Sequence, residues 1–250
     1  MKKKLLSILL KPYLIPEKIF NTIRFNKFKK EYNIKIYEND QNKKFDQLNL
    51  DREKGISNLN QLKQKNPILN RPMSSEHEIL FSSISLLKKD KVMNILEIGT
   101  HDGANSYLLS LLFENSRIET IDLKNEDYDF QNTYNRKNNF INFIAERDKI
   151  ISKKKNIYFK EKNSLNLINS KEKYDLIWVD GSHGYPTVCV DIINSLRLIN
   201  DNGLILCDDV FIEEPKSQDK TYRSIATFET ISALKKEKLI NFNLIYKRLD

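Results

Sequence analysis

Two acidic side chains flank a turn with two glycines near the middle of the chain. Glu97, Gly99 and Gly103 follow the spacing Glu-x-Gly-x-x-x-Gly, and Asp122 comes about 20 positions later, where nucleoside-binding folds place a ribose-binding acid. Glycine adopts backbone angles closed to other residues, so the main chain can approach a bound molecule. An acid beside the turn repels phosphate but suits a cationic ligand, and a second acid suits a ribose diol. These residues predict a site for an adenosyl group with a charged, phosphate-free tail.

The turn departs from the dinucleotide fingerprint Gly-x-Gly-x-x-Gly, which places a pyrophosphate on the N-terminus of a helix. His101 stands where the second glycine would be, and Ala104 follows Gly103. The spacing therefore disfavours a dinucleotide. The alternative without a ligand is a tight structural turn in which Glu97 is solvated.

A second group of acids, with one histidine, lies in the C-terminal half of the chain. Asp180 ends one apolar run and Asp208-Asp209 ends the next, so the carboxylates should meet at one edge of a parallel sheet. Three neighbouring carboxylates cost stability unless a cation neutralises them, and oxygen ligands suit Mg²⁺. His183 lies between two glycines just after Asp180, and an imidazole can accept a proton near neutral pH. Alternatively, the acids cap the following elements or contact a cofactor without metal.

The elements that must position these residues alternate between strands and helices. The apolar patterns predict strands over 92–98, 116–123, 156–160, 174–180, 203–209 and 240–246. They predict helices over 104–113, 140–151, 186–198 and 226–236, and a further helix that starts at a capping box, Ser75-x-x-Glu78. The order indicates an α/β fold: a Rossmann-like, doubly wound, mostly parallel sheet with helices on both faces. Such sheets usually end in a hairpin, so either the last strand is missing from this chain or the sheet has six strands.

The chain divides by composition into two regions. Residues 1–70 are predicted to be a basic, partly helical N-terminal extension or cap, and residues 71–250 the Rossmann-like domain. The polar stretch 124–139 is predicted to be a long loop that covers the cofactor or acceptor, or else an inert insertion. Residues 211–224 are predicted to be the segment that faces the acceptor.

The placement of charge excludes some classes of function. The net charge is +8, and residues 1–30 account for all of it, so the rest of the chain lacks the basic surface that a nucleic-acid site needs.

Lys11-Pro12 ends the first apolar run too early for a signal peptide, and the chain has no run of about 20 apolar residues that could span a membrane. Cys189 and Cys207 form no Cys-x-x-Cys pair, which favours a reduced, cytoplasmic setting. The basic N-terminus either touches an anionic membrane surface peripherally, or its leucines pack on the domain or on a second copy in a homo-oligomer.

The stretch from Glu97 to Gly103, together with Asp122, resembles the S-adenosylmethionine site of class I methyltransferases. The resemblance implies that the glycine turn lies along the methionine moiety and that Asp122 holds the ribose hydroxyls. The implied cofactor-binding residues are Glu97, Gly99, Thr100, Gly103, Asp122, Ser164 and Asp180.

The segment Val179–Tyr185, with Asp191 and the run that ends in Asp208-Asp209, resembles a narrower group. This group is the metal-dependent O-methyltransferases of the macrocin methyltransferase and cephalosporin hydroxylase-like branch. The resemblance implies Mg²⁺ or another divalent cation on Asp180, Asp208 and Asp209. It also implies catalytic roles for Asp180 and for His183, the latter as general base.

The function expected from these patterns is that of an S-adenosylmethionine-dependent O-methyltransferase assisted by a divalent metal. Its acceptor would be a hydroxyl of a sugar, or of another small-molecule or polysaccharide precursor. Two alternatives stay open: a metal-independent N- or carboxyl-methyltransferase, and a non-catalytic Rossmann-like module that docks through its basic first thirty residues.

Overall fold

The structure is a computed structural model that describes residues 32–70, 75–213 and 224–249. Its strands are β1 (Asn94–Ile98), β2 (Arg117–Asp122), β3 (Ile157–Glu161), β4 (Tyr174–Val179) and β5 (Ile199–Cys207). Its helices are α1 (Ile34–Gln47), α2 (Arg52–Lys65), α3 (Glu76–Leu87), α4 (Ala104–Leu112), α5 (Tyr128–Asn132), α6 (Phe140–Ile151), α7 (Thr187–Leu198) and α8 (Ala226–Lys236). Short 3-10 helices cover Pro67–Leu69, Thr133–Asn139 and Ser164–Asn169.

The five strands form one parallel sheet in the order β3-β2-β1-β4-β5. β1 lies at the centre, and the strand order reverses between β1 and β4, which is where ligands bind in sheets of this kind. The strands are short apolar runs in which successive side chains alternate between the two faces. The predicted Rossmann-like fold is confirmed, and the end of β1 lies where the sequence places the glycine turn.

Helices cover both faces of the sheet. On one face, Ile95, Leu176 and Trp178 pack with residues of α3 and α4. On the other face, Ile177 and Val179 pack with Leu198 at the end of α7. The two central strands, β1 and β4, are buried along nearly their whole length and are mostly apolar, as expected where both faces of a parallel sheet are covered.

The N-terminal helices α1 and α2 are part of this core. Phe45, Leu59 and Leu69 are buried in the same cluster as the strand residue Ile95. Gly55 in α2 brings the helix close to α3, since a Cβ there would lie 2.1 Å from the Ser83 hydroxyl oxygen. Residues 32–70, whose polar composition left their structure open, are therefore folded on the sheet. The basic residues 1–30 lie outside the described range.

The stretch 124–139 is not one long loop as predicted. It contains α5 and the 3-10 helix Thr133–Asn139. Phe130 is buried and makes edge contacts with Phe140 and Phe143, which anchors the stretch beside α6.

The strand predicted over residues 240–246 is wrong. These residues are all described, and they form an irregular segment that joins no sheet. Phe242 and Leu244 pack with the residues of α7 and α8, which accounts for the alternating apolar pattern. The backbone of Tyr246 pairs with the side chain of Gln41, so a side chain from α1 takes the place of a neighbouring strand.

The capping box predicted at Ser75 does not form, although the helix starts where it was expected. The Ser75 hydroxyl bonds to the His77 ring Nδ1 at 2.6 Å, and Glu78 pairs with Lys63. None of the helices in the described part of the chain is long and apolar enough to cross a membrane.

Candidate active site

The turn after β1 depends on left-handed backbone angles. Gly99 has φ +102° and Gly103 has φ +77°, and His101 between them also has a positive φ of 50°. A Cβ on Gly99 would lie 2.2 Å from the Asp180 carbonyl oxygen, and one on Gly103 would lie 2.9 Å from Ile151. The glycines thus allow the protein to pack closely on itself at these positions. The predicted reason for the two glycines was the approach of a ligand, whereas the contacts seen here are within the protein.

The Glu97 side chain is buried in the protein interior. It is 1% exposed, and its carboxylate accepts hydrogen bonds from Asn105, Ser106 and Thr120. Burial raises the pKa of Glu97, although these hydrogen bonds act in the opposite direction. The carboxylate therefore ties β1, β2 and α4 together beneath the turn. The contact with a methionine moiety that the resemblance implied does not fit this placement, because the hydrogen bonds turn the side chain inward.

Asp122 lies at the end of β2 beside the glycine turn. Its two carboxylate oxygens each accept a backbone hydrogen bond at 2.8 Å, one from His101 and one from Leu123. Burial raises its pKa, against the effect of these hydrogen bonds. A carboxylate has about four acceptor positions, so two remain for a ligand. The arrangement suits a diol.

Two other predicted cofactor residues occupy different surroundings. Thr100 is 2% exposed, and its hydroxyl bonds to that of Thr120 at 2.6 Å, which continues the network around Glu97. Ser164 begins the 3-10 helix after β3, near Asp191 of α7. Thr100 therefore supports the turn from inside, whereas Ser164 lies at the sheet edge past β3.

The residues around the turn fit S-adenosylmethionine. The Asn105 side-chain oxygen is buried and has no hydrogen-bond partner among the described residues, while its amide nitrogen donates to Glu97. An unpaired buried acceptor is costly, and an ammonium group would satisfy it. Asn105 at the start of α4 and Asp122 thus offer acceptors for an amino group and for a ribose.

The predicted acidic group assembles at the same edge of the sheet. The Asp180 amide donates to the Ile98 carbonyl at 2.9 Å, and the Asp208 amide donates to the Val179 carbonyl at 3.0 Å. These bonds extend the pairing of β1, β4 and β5 by one step and bring the acids together. Asp209 follows with φ 46°, a left-handed conformation that is strained for a residue with a Cβ.

A lysine that the sequence analysis did not single out lies between these acids. The Lys247 ammonium is 2.7 Å from the Asp208 carboxylate and also hydrogen-bonds to Asp209. Burial alone would lower the pKa of Lys247, but the two carboxylates raise it. Burial likewise acts to raise the pKa of Asp208, yet the Lys247 charge brings it below its usual value. For Asp180, burial and the neighbouring Asp208 raise the pKa well above the usual range.

The structure does not support the predicted Mg²⁺ site. Among the described residues, no three His, Cys, Asp or Glu side chains are grouped so that they could hold a metal ion. Carboxylate oxygens are the right ligands for Mg²⁺, but here those of Asp208 and Asp209 bind an ammonium. The positive charge beside Asp208 and Asp209 comes from the Lys247 side chain.

His183 lies within the same group of charges. It is 4% exposed, and its Nε2 is 3.7 Å from a carboxylate oxygen of Asp180 and 3.7 Å from one of Asp209. Burial lowers the pKa of His183, although Asp209 and Asp208 act to raise it. The imidazole is therefore neutral near pH 7 and able to accept a proton.

His77, in the first turn of α3, is half-buried. Its ring packs 5.2 Å from Trp178 and 5.6 Å from Phe81, and its charge acts on Asp208. Phe81 lies four positions further along the same helix, but Trp178 belongs to β4 and Asp208 follows β5, so no local pattern separates this histidine from an exposed one.

The five-stranded parallel sheet, with the glycine turn after its central strand, is a Rossmann-like methyltransferase fold. Residues 96–210 match the model of a family described as a methyltransferase domain. The match runs from β1 to just past the Asp208-Asp209 pair, so it includes both halves of the site. No curated protein sequence matches the chain.

Several solved structures are similar to the chain. A Podospora anserina methyltransferase, PaMTH1, solved with S-adenosylhomocysteine bound, is 19% identical over 73% of this chain and 78% of its own, with a TM-score of 0.47. The O-methyltransferase TomG from Streptomyces achromogenes, which is involved in tomaymycin synthesis and was solved with S-adenosylmethionine, is 16% identical over 77% and 82%, with a TM-score of 0.46.

Proposed function

We propose that this methyltransferase transfers a methyl group to a hydroxyl oxygen of a small molecule. From the resemblance, we propose a sugar or a polysaccharide precursor as the class of acceptor. The observation that carries the proposal is the position of His183, a buried base at the sheet edge that holds the cofactor turn. A hydroxyl must lose its proton to become a strong nucleophile, and a base at this position can accept it.

The surroundings of His183 suit a base that gains charge during the reaction. Bound S-adenosylmethionine supplies an electrophilic methyl group, and transfer forms a carbon–oxygen bond while the sulfur–carbon electron pair stays on sulfur. His183 accepts the hydroxyl proton on its imidazole. Because Asp180 and Asp209 carboxylate oxygens each lie 3.7 Å from Nε2, the resulting imidazolium is stabilised. Asn105 and Asp122 would hold the cofactor, the first at its amino group and the second at its ribose.

An amine is the second candidate acceptor. The three acids against one lysine leave the rim acidic, which attracts a cationic acceptor, and a protonated amine also needs a base. A carboxylate acceptor fits less well, because it needs no base and would meet carboxylates of its own charge.

The chemistry of the methylated product distinguishes a hydroxyl, an amine and a carboxylate as acceptor. The purified protein is incubated with S-adenosylmethionine labelled in the methyl group and with matched sugars that differ in one hydroxyl or amino group. We expect the label in a product that survives alkali, since methyl ethers are stable and methyl esters release methanol. Label that appears only with amino sugars would support the amine instead, and alkali-labile label would contradict the proposal. Calorimetry with S-adenosylhomocysteine checks separately that the cofactor site is intact.

A further inference from the structure

The position of Lys247 gives its ammonium a role beyond that of a surface ion pair. Its ammonium bonds to Asp208 and Asp209, two of the three acids that the resemblance assigned to a metal. The third acid, Asp180, lies close enough for the charges of Asp208 and Lys247 to act on its pKa. A single ammonium thus provides the positive charge that these carboxylates require.

The backbone around Lys247 is held from the N-terminal side of the protein. Its carbonyl oxygen accepts a hydrogen bond from the Glu76 amide, in the first turn of α3, at 3.0 Å. The preceding residue, Tyr246, bonds through both backbone groups to the buried side chain of Gln41. Two residues further on, the Tyr32 hydroxyl donates to the Leu249 carbonyl at 2.5 Å. The segment is fixed on both sides of Lys247, so the ammonium has a defined place.

We propose that Lys247 is the resident cation of this site and takes the place among Asp180, Asp208 and Asp209 that a divalent metal would occupy, so that methyl transfer is independent of metal. The catalytic part of this inference rests on the proposed function. The part that concerns the cation does not, because metal binding can be measured without turnover.

A fixed ammonium can serve the reaction directly. It carries three N–H donors, and among the described residues Asp208 and Asp209 accept from it, so one donor has no partner there and can serve a ligand. The Lys247 side chain is 34% exposed, so the acceptor can reach it. A preorganised positive charge stabilises the negative charge that develops on a hydroxyl oxygen as its proton leaves.

Titration with Mn²⁺ tests whether Lys247 occupies the place of a divalent metal. The electron paramagnetic resonance signal of free Mn²⁺ reports how much of the ion stays unbound. We expect no saturable binding to the wild type up to about 1 mM, the upper end of affinities for weak carboxylate sites. Lys247→Met and Lys247→Ala should each bind one Mn²⁺ per chain at least 10-fold more tightly. Adding Asp208→Asn to Lys247→Ala should abolish that binding. Arg248→Ala, which changes an exposed neighbour, should behave like the wild type.

Two results would overturn the inference. One is saturable binding of one Mn²⁺ per chain by the wild type below about 1 mM, since the metal would then displace the ammonium. The other is a folded Lys247→Met that gains no Mn²⁺ affinity. The wild-type titration needs no substitution, so it decides even if the variants unfold.

Turnover gives the second readout once an acceptor is known. EDTA should leave the wild-type rate unchanged. Lys247→Met should lose at least 10-fold in kcat and recover part of it with Mn²⁺, whereas Lys247→Arg should keep more activity than Lys247→Met without metal. Loss of the wild-type rate in EDTA would overturn the inference. A failure to methylate any hydroxyl would count against the proposed function and leave the Mn²⁺ result standing.

Discussion

The side-chain amide of Gln41 pairs with the backbone of Tyr246 as a neighbouring strand would. Its nitrogen donates to the Tyr246 carbonyl at 3.0 Å, and its oxygen accepts from the Tyr246 amide at 2.9 Å. Gln41 is fully buried, and it also donates to Glu76, which pairs with Arg52. The polar N-terminal helices therefore fix the segment that carries Lys247 to the acidic rim.

Gln41→Ala should release this segment. It leaves two backbone groups of Tyr246 unpaired, so we expect the free energy of unfolding to fall by about 2–3 kcal/mol. Urea unfolding measures the loss, and hydrogen exchange should show lower protection over residues 244–249. Gln47→Ala, at an exposed position of the same helix, is the matched control. Unchanged protection in Gln41→Ala would show that other contacts hold the segment.

Two glycines at the site should respond differently to substitution by alanine. In Gly99→Ala the new Cβ meets the Asp180 carbonyl at 2.2 Å and the backbone keeps a φ of +102°, so we expect a loss of about 3 kcal/mol or more. In Gly181→Ala the nearest contact is 3.5 Å, to Ile98, and the change should be tolerated. Thermal unfolding of both variants provides the comparison, and equal losses would contradict the packing argument.

Asp122→Asn should weaken cofactor binding. The amide keeps one acceptor oxygen but removes the charge and half of the acceptor positions that a ribose would use. We expect the Kd for S-adenosylhomocysteine to rise about 10- to 100-fold in calorimetry. Asp129→Asn, at an exposed position of α5, should leave the affinity unchanged. Wild-type affinity in Asp122→Asn would place the ribose elsewhere.

His183→Gln should separate chemistry from cofactor binding. Without the imidazole base, we expect turnover to fall by about 10²- to 10⁴-fold. The Kd for S-adenosylhomocysteine should stay within about two-fold of the wild type, because the proposed cofactor contacts are untouched. A matching loss of cofactor affinity would identify His183 as structural.

Asp191 should make stability depend on pH. Burial raises its pKa to about 6, and the Ser164 hydroxyl offsets this only in part. In the unfolded chain the pKa of this carboxyl is about 3.9. Between the two pKa values the folded state binds more protons than the unfolded state. The group therefore lowers the free energy of unfolding as the pH rises through this range. Relative to the wild type, Asp191→Asn should gain nothing near pH 4 and about 2–3 kcal/mol above pH 7. Urea unfolding across this pH range is the measurement. Asp201→Asn, at an exposed position, is the control, and a gain independent of pH would contradict the assignment.

Local patterns in the sequence were enough to predict the sheet and its rim. Each strand is a short apolar run, and parallel strands end at one edge, so Asp180 and Asp208 were expected together and are found there. The helices at 140–151 and 226–236 were also predicted with their observed bounds. The alternation of apolar and polar residues led to a wrong strand prediction over residues 240–246, because a coil packed against helices can have the same pattern as a strand.

The sequence by itself determined the Rossmann-like fold, the turn at Gly99 and the acidic rim, because each strand is a local apolar run and parallel strands end at one edge of the sheet. Only the tertiary structure decided that Glu97 faces inward and that Lys247 neutralises the acids. Lys247 lies 38 positions from Asp209, and its place depends on Gln41, 205 positions from Tyr246. Contacts over such separations leave no local pattern, since they form only when distant helices and the C-terminal segment pack on the same sheet edge.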